Sequence, residues 1–588
     1  MTTDQNYQQI YRVGGMLDAG FVGQITYTIS LDQVYDELDI HFSFDKRLYS
    51  ESDVTPELID KLQTLCTAKY DAPTYPVEEF RQTILHEMKT EIHTMAELND
   101  NFIGCIHRQL TDRHMLYTKE FTSDGCLAQD TFSGVLKVTV LVFNVLLDNT
   151  QYTLTVSGHP VGQGVIAPNF NLMDTVKTAA GNAGASNAAG SADNSCDAES
   201  APASAVATAG SSGVSSAGSA ATAGDSSTTG SSSAGNTVTA STRFKRLELH
   251  NHTVESDGSL TCQELTEYLA ADHVDAFAIT DHNTTSGQKK IEQLLEEKHY
   301  PISLIRGMEY TTYFGHILCL NLAKYVPWNS IDQHRPELLF EAAREKGALV
   351  GIAHPFSYGD PFARGCRFEM TISDYSKIDF IEIFNNPEPL HEVNERGTNL
   401  WMSLIFSGYQ ITATSGMDLH NRAKLAGCYA TYIEGKNGGN IASELDTAIH
   451  THRTWVSKGA LLLTEVLPET NELLLTFTDA HKPGFAVPKT AQVVLKGKDK
   501  TFTTSVSLDK PVCVSLNQLS GTDPIIPLLY EAPGINGAAT VSNAAHVAAS
   551  TSCGSAADAS SAAGQLKGID ALPAIEGLLC VSPVLYRD

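Results

Sequence analysis

Between residues 243 and 457 the sequence alternates short apolar runs with amphipathic stretches of helical period. The runs at 246–249, 276–280, 302–306, 317–320, 349–352, 380–384 and 411–414 have strand length and strand composition. Such alternation implies a parallel sheet with crossover helices, and at this length a closed barrel is favoured over an open sheet. The first helix opens on T-C-Q-E, where Thr261 and Glu264 make a capping box and Leu265 and Leu269 face the sheet. A barrel gathers the side chains at the C-terminal ends of its strands, however far apart they lie in sequence.

Those strand ends carry metal-ligating residue types. From Leu247 the chain reads L-E-L-H-N-H-T-V-E-S-D-G, and His250 and His252, two apart on a strand, point to one side. Asp257 follows in a Ser-Asp-Gly turn, and Asp281-His282 closes the next apolar run. Glu309 lies in R-G-M-E-Y, His316 in F-G-H, His354 in A-H-P, and Asp418 and His420 in M-D-L-H. One such histidine alone is more often a core or surface residue. Their repeated placement at strand ends points instead to a cluster of imidazole and carboxylate ligands for Zn²⁺, Mn²⁺ or Fe²⁺.

Around these lie candidates for supporting roles. Asp281 and Asn283 flank a ligand and are placed to orient it, and Asn385 and Asn386 follow a strand and are candidates to line the pocket. Arg364, Arg367 and Arg422 are candidate phosphate clamps, because a guanidinium can hold phosphate in bidentate fashion. His107, His114, His159, His273, His334 and His391 are read as surface or turn residues without a ligand role.

The remainder of the 588-residue chain is organised around this segment. Residues 1–173 carry period-two alternation and are expected to form an accessory β-sandwich-like domain, interrupted by a helix over 76–93. Residues 174–242 are almost wholly Ala, Gly, Ser, Thr and Asn and read as a flexible linker, and about 534–564 has the same character. Residues 458–588 return to β patterning and are expected to form a small C-terminal β unit beside the barrel. The net charge of −28 argues against nucleic acid or an anionic membrane as partner. The 11 cysteines are odd in number and include no C-x-x-C pair, which suits reduced thiols. With no signal-like N-terminus and no apolar run long enough to span a bilayer, the chain is expected to be soluble and cytoplasmic.

The motifs H-x-H with S-D-G, T-D-H-N, G-x-E followed by G-H, and A-H-P with a final D-x-H resemble those of the polymerase-and-histidinol-phosphatase (PHP) superfamily of metal-dependent phosphoesterases. Over residues 246–457 the pattern is most similar to the carbaryl-hydrolase-like (CehA/McbA) branch. The resemblance implies a distorted (β/α)7-type barrel holding two to three divalent ions (Mn, Zn or Fe). One ion would be held by His250, His252, Glu309 and Asp418, and a second by Glu309, His316 and His354. A third would be held by Asp257, His282 and His420, although Asp257 stands where some relatives have histidine. Asp257, His282, Glu309 and Asp418 would then be the catalytic set, and a water bridging two ions the nucleophile. The implied substrate is a small-molecule phosphate ester, of a nucleotide or another metabolite. Hydrolysis of an ester, carbamate or amide on the same centre, and a catalytically silent metal-binding scaffold, are the alternatives.

Overall fold

The fold is described from a computed structural model covering residues 7–70, 76–161, 243–329, 331, 334–385, 392–519, 521, 524–532 and 575–586. The Ala/Gly/Ser-rich tract 174–242, the insert 534–564, Asn386 and His391 lie outside the described residues.

The N-terminal strands are β1 (Gln8–Leu17), β2 (Gly23–Phe44), β3 (Glu91–Leu98), β4 (Asn101–Ile106), β5 (Asp112–Tyr117), β6 (Phe132–Asn144) and β7 (Thr150–Pro160). All belong to one sheet, ordered β1-β7-β2-β6-β3-β4 with β5 also on β2, and not to the two facing sheets expected of a sandwich. The 22 residues of β2 explain this. Register shifts between Leu31 and Tyr35 and between Tyr35 and Glu37 turn one strand from β6 onto β5 and β7. Helices α1 (Pro56–Tyr70) and α2 (Val77–Glu87) pack on each other in a separate buried cluster that also meets Tyr358 and Phe362. The helix expected over 76–93 therefore ends early. Phe80, Ile84 and Met88 do share a buried face, but Glu91 and His93 already belong to β3.

The segment from 243 contains β8 (Arg243–Glu248), α3 (Cys262–Ala271), β9 (Ala276–Ile279), α4 (Ser286–Lys298), β10 (Ser303–Thr312), β11 (Gly315–Leu320), α5 (Glu337–Arg344), β12 (Leu349–Ile352), β13 (Phe380–Asn385), α6 (Glu392–Phe406), β14 (Thr412–Gly416), β15 (Ala430–Gly435) and α7 (Ile441–His450). The capping box at Thr261 and Glu264 is formed. Pairs β8–β9, β9–β10, β12–β13 and β13–β14 are parallel, as the alternation implies. Two features depart from a regular (β/α)7 barrel. Only Tyr313 and Phe314 separate β10 from β11, too few for a crossover, so the two form an antiparallel hairpin. The second departure is at the seam. Here β15 pairs antiparallel with β8, while Thr431 and the β16 residue Thr454 reach the β14 backbone through hydroxyls and form no ladder with it.

The remaining strands are β16 (Thr454–Ser457), β17 (Ala460–Leu467), β18 (Glu472–Asp479), β19 (Thr490–Lys496), β20 (Thr501–Ser507), β21 (Val512–Ser515), β22 (Ile526–Glu531) and β23 (Leu578–Val581). They do not all stand apart beside the barrel. β16, β23, β22, β19 and β20 continue the central sheet past β15 into one 13-stranded sheet, and β17, β18 and β21 make a second sheet of three.

Every described residue belongs to one compact unit. Met95, Cys105, Leu141 and Phe143 of the N-terminal sheet share a core with Met308, Tyr310 and Ile317 of β10 and β11. Among the described residues no helix is long and apolar enough to cross a membrane, and each cysteine is a free thiol.

Candidate metal centre

The residues just beyond β8 set the geometry. Asn251 turns away from the centre: its backbone N–H donates to Thr280 Oγ1 at 2.9 Å and its amide to the Ala278 carbonyl at 3.0 Å. This anchorage to the neighbouring strand leaves His250 and His252 directed together to the other side. Next along the chain, Asp281 accepts from Thr253 N–H (2.7 Å), Thr253 Oγ1 (2.8 Å) and Ser256 Oγ (2.7 Å), fixing the loop that presents Asp257. Asn283 holds both backbone groups of Thr311, at 3.1 and 2.9 Å, and so ties His282 to the end of β10. Both residues thus hold the backbone beside candidate ligands.

Glu309 is wholly buried at the middle of the constellation. Its Oε1 lies 2.9 Å from His316 Nδ1 and 3.0 Å from His354 Nε2. Its Oε2 lies 3.1 Å from His250 Nε2, 3.4 Å from His252 Nε2 and 2.9 Å from His282 Nδ1. Asp418 Oδ1 lies 3.0 Å from His252 Nε2 and 3.4 Å from His250 Nε2. Asp257 Oδ1 lies 3.3 Å from His420 Nε2 and 3.6 Å from His282 Nε2. All nine expected ligands thus meet at one place.

The donor set fits divalent cations. His250 Nε2, His252 Nε2, His316 Nε2, Asp257 Oδ1, Glu309 Oε2 and Asp418 Oδ1 are buried yet make no hydrogen bond among the described residues. Atoms this close that converge without pairing have the arrangement of ligands around a shared cation, and leaving them unmet would be costly. Ligand atoms of His250, His252, Glu309 and Asp418 fall within 4.8 Å of one another, as do those of His252, Asp257, His282 and His420 and those of His282, Glu309 and His316. The grouping matches the first ion of the expected arrangement. It adds His252 around Asp257, and it puts His282 beside Glu309 and His316 where His354 was expected. Burial, with His282 and His420 nearby, pushes His252 down to about 3 and keeps it in the neutral, ligating form. Burial alone would raise Glu309, but the imidazoles of His250, His316 and His282 hold its carboxyl well below the usual range.

Two contributors carry no motif of their own. Glu382, buried on β13, faces His250 Nδ1 at 3.1 and 3.2 Å and accepts from the His354 backbone N–H at 3.0 Å. A carboxylate at this position favours the His250 tautomer protonated on Nδ1, which leaves Nε2 with its lone pair toward the centre. A glutamate inside the otherwise apolar run F-I-E-I-F was the available signal. Asn385, expected to line the pocket, instead donates to Glu382 Oε2 at 2.9 Å. His107 is the second. Read as a surface residue, it is buried, stacks on His282 with ring centres 4.1 Å apart, and places Nε2 3.5 Å from Asp257 Oδ2. It arrives from the N-terminal sheet, and no spacing near it could reveal that. His114, His273 and His334 are exposed and His159 half-buried, and His114 lies in a surface group with His41 and Asp112.

The ligands open on a cavity of about 210 Å³, lined also by Lys89, Glu91, His107 and Arg364. Of the three arginines proposed as clamps, Arg364 alone is among its lining residues. Arg367 is drawn over the rings of Tyr70 and Phe356, 5.3 and 5.4 Å from their centres, and the exposed Arg422 lies over Tyr268 at 5.7 Å. A larger cleft of about 720 Å³, lined by Arg344, Asp379 and His450, lies at the N-terminal ends of β12 and β13, away from these ligands.

Comparison with known proteins adds the following. Residues 7–160 match a family of unknown function (DUF6669). A 5′-3′ exoribonuclease of Haemophilus influenzae is 36% identical over 141 residues, 23% of this chain and 50% of that protein. An uncharacterized protein of Methanocaldococcus jannaschii is 30% identical over 112 residues, 19% of this chain and 58% of that one. The chain thus spans about half the length of the curated relatives it matches. A solved two-domain protein from Bacteroides vulgatus, containing a predicted PHP-like metal-dependent phosphoesterase, aligns with 49% of this chain and 90% of its own at 15% identity and a TM-score of 0.28.

Proposed function

We propose that the chain is a PHP-superfamily metal-dependent hydrolase that cleaves a phosphate ester of a small molecule. The observation that carries this reading is Glu309, whose two oxygens face separate sets of imidazoles, so that Glu309 with these histidines would hold divalent cations. Divalent ions held there would supply Lewis acidity, lowering the pKa of water and offsetting charge on a phosphoryl group.

The protein's own groups do the rest. Glu382 favours the His250 tautomer protonated on Nδ1, Asp281 fixes the Asp257 loop, and Asn283 fixes His282 against β10. Arg364, paired with Asp360 at 3.1 Å, has its buried Nε unmet at the cavity and is placed to bind a phosphate oxygen. A relative is named a 5′-3′ exoribonuclease, but a net charge of −28 and a cavity of about 210 Å³ favour a small ester over a nucleic acid. Free thiols at every described cysteine are in keeping with a cytoplasmic setting.

The test is turnover of p-nitrophenyl phosphate beside p-nitrophenyl acetate, in protein shown to be loaded with Mn²⁺, Zn²⁺ or Fe²⁺. Phosphate-selective turnover that His250→Ala/His252→Ala abolishes is the expected result. Loaded protein inert with all three metals, or active on the carboxylic ester alone, would overturn the reading.

A further inference from the structure

Apart from the nine ligands above, the N-terminal sheet carries a second buried constellation at the same cavity. Glu91 and His93 are two apart on β3 and so share a face, and His107 follows β4, which pairs with β3 at Thr94 and Ile106. The ladder therefore brings His107 beside His93, with ring centres 3.8 Å apart. One ligand atom from each of Glu91, His93 and His107 lies within 4.8 Å of the others, and Glu91 Oε1 is 3.2 Å from His93 Nε2.

All three side chains are buried. His93 Nε2 meets only Glu91, whereas Nδ1 of His93 and Nδ1 of His107 meet no partner among the described residues. Buried imidazoles are normally satisfied, so these two atoms are a separate observation from the clustering. Arg113 donates through Nη1 to the Ile92 carbonyl at 2.5 Å and lies over Phe42 and Phe44, while burial and the Arg113 charge both hold His93 toward the neutral form.

We propose that Glu91, His93 and His107 form an additional divalent-metal site, supplied entirely by the N-terminal domain. Two imidazoles and one carboxylate suit Zn²⁺ or a related first-row ion, and three protein ligands leave a position open for water or substrate. Glu91 and His107 both line the cavity that Asp257 and His282 line, so the open position faces the proposed substrate space. The site shares no ligand with the centre around Glu309 and does not depend on the hydrolytic reading.

The experiment uses the full chain, stripped with chelator, reloaded with Zn²⁺ and assayed for bound metal by mass spectrometry. Loading with Co²⁺ gives a parallel visible-absorption signal. Glu91→Gln/His93→Ala is expected to lose about one equivalent per chain, both in the native background and in His250→Ala/His252→Ala. Loss in the second background separates this site from the centre around Glu309. If His93→Ala does not fold, Glu91→Gln alone still decides. Its expected effect is a weakening of that equivalent by at least the roughly tenfold that losing an outer-shell partner costs. Unchanged stoichiometry and affinity in folded variants would overturn the proposal.

Discussion

Glu382 shows how one residue without a motif can govern several with one. Its carboxylate receives His250 Nδ1, the His354 N–H and the Asn385 amide, so it orients two candidate ligands from behind. Glutamine at this position offers one acceptor oxygen to these donors and sets an amide against at least one of them. Glu382→Gln is expected to weaken metal binding about 10- to 100-fold while the protein stays folded. Competition against a chromophoric chelator measures it, and an affinity equal to wild type would show that His250 needs no such support. The nine ligand candidates were legible because each lies in a short recognisable pattern beside an apolar run or in the turn that follows one. Glu382 showed only as a glutamate inside an apolar run, with no spacing that ties it to the ligand candidates, and His107 was hidden by its origin in another domain.

At the scale of elements, strand ends must approach closely for these side chains to meet. Gly416, the last residue of β14, is one such place: a Cβ there would stand 2.5 Å from His250 Cβ and 2.7 Å from Glu382 Oε1. Gly416→Ala is expected to cost about 1–3 kcal/mol, the usual range for overpacking, and to lower bound metal by displacing His250. Thermal melting and metal content together test this, and wild-type values in both would refute it. The parallel strands could be read in advance because apolar length and helical spacing are local properties. The β10–β11 hairpin could not be read. The apolar runs at 302–306 and 317–320 leave residues 307–316 between them, and only the continuation of β10 to Thr312 shortens the connection to two residues. The bend of β2 and the seam at β14 could not be read either, because both depend on which distant strands compete for an edge.

For the whole molecule, the cores hold phenols as well as hydrocarbons. Burial pushes Tyr375 and Tyr432 up to about 12, in Tyr375 with Tyr409 beside it. Their unfolded value is near 10, so between these limits the folded protein retains protons that the unfolded chain has released. Stability is therefore expected to be unaffected below about pH 10 by these groups and to fall as pH rises toward about 12. Urea midpoints at about pH 9 and about pH 11, followed with tyrosinate absorbance, check the sign. The fall should shrink in Tyr375→Phe and Tyr432→Phe, and a flat midpoint would count against it.

The position of β23 has a consequence for synthesis. This strand lies between β16 and β22, pairing Val456 with Val581 on one side and Leu528 with Val581 on the other. As the chain leaves the ribosome, β16 and β22 both emerge well before the strand that joins them. Until residues 578–581 arrive, each exposes a row of unpaired backbone groups, the kind of edge at which nascent chains associate wrongly. Completion of the central sheet thus waits on a strand made long after every residue of the candidate metal centre.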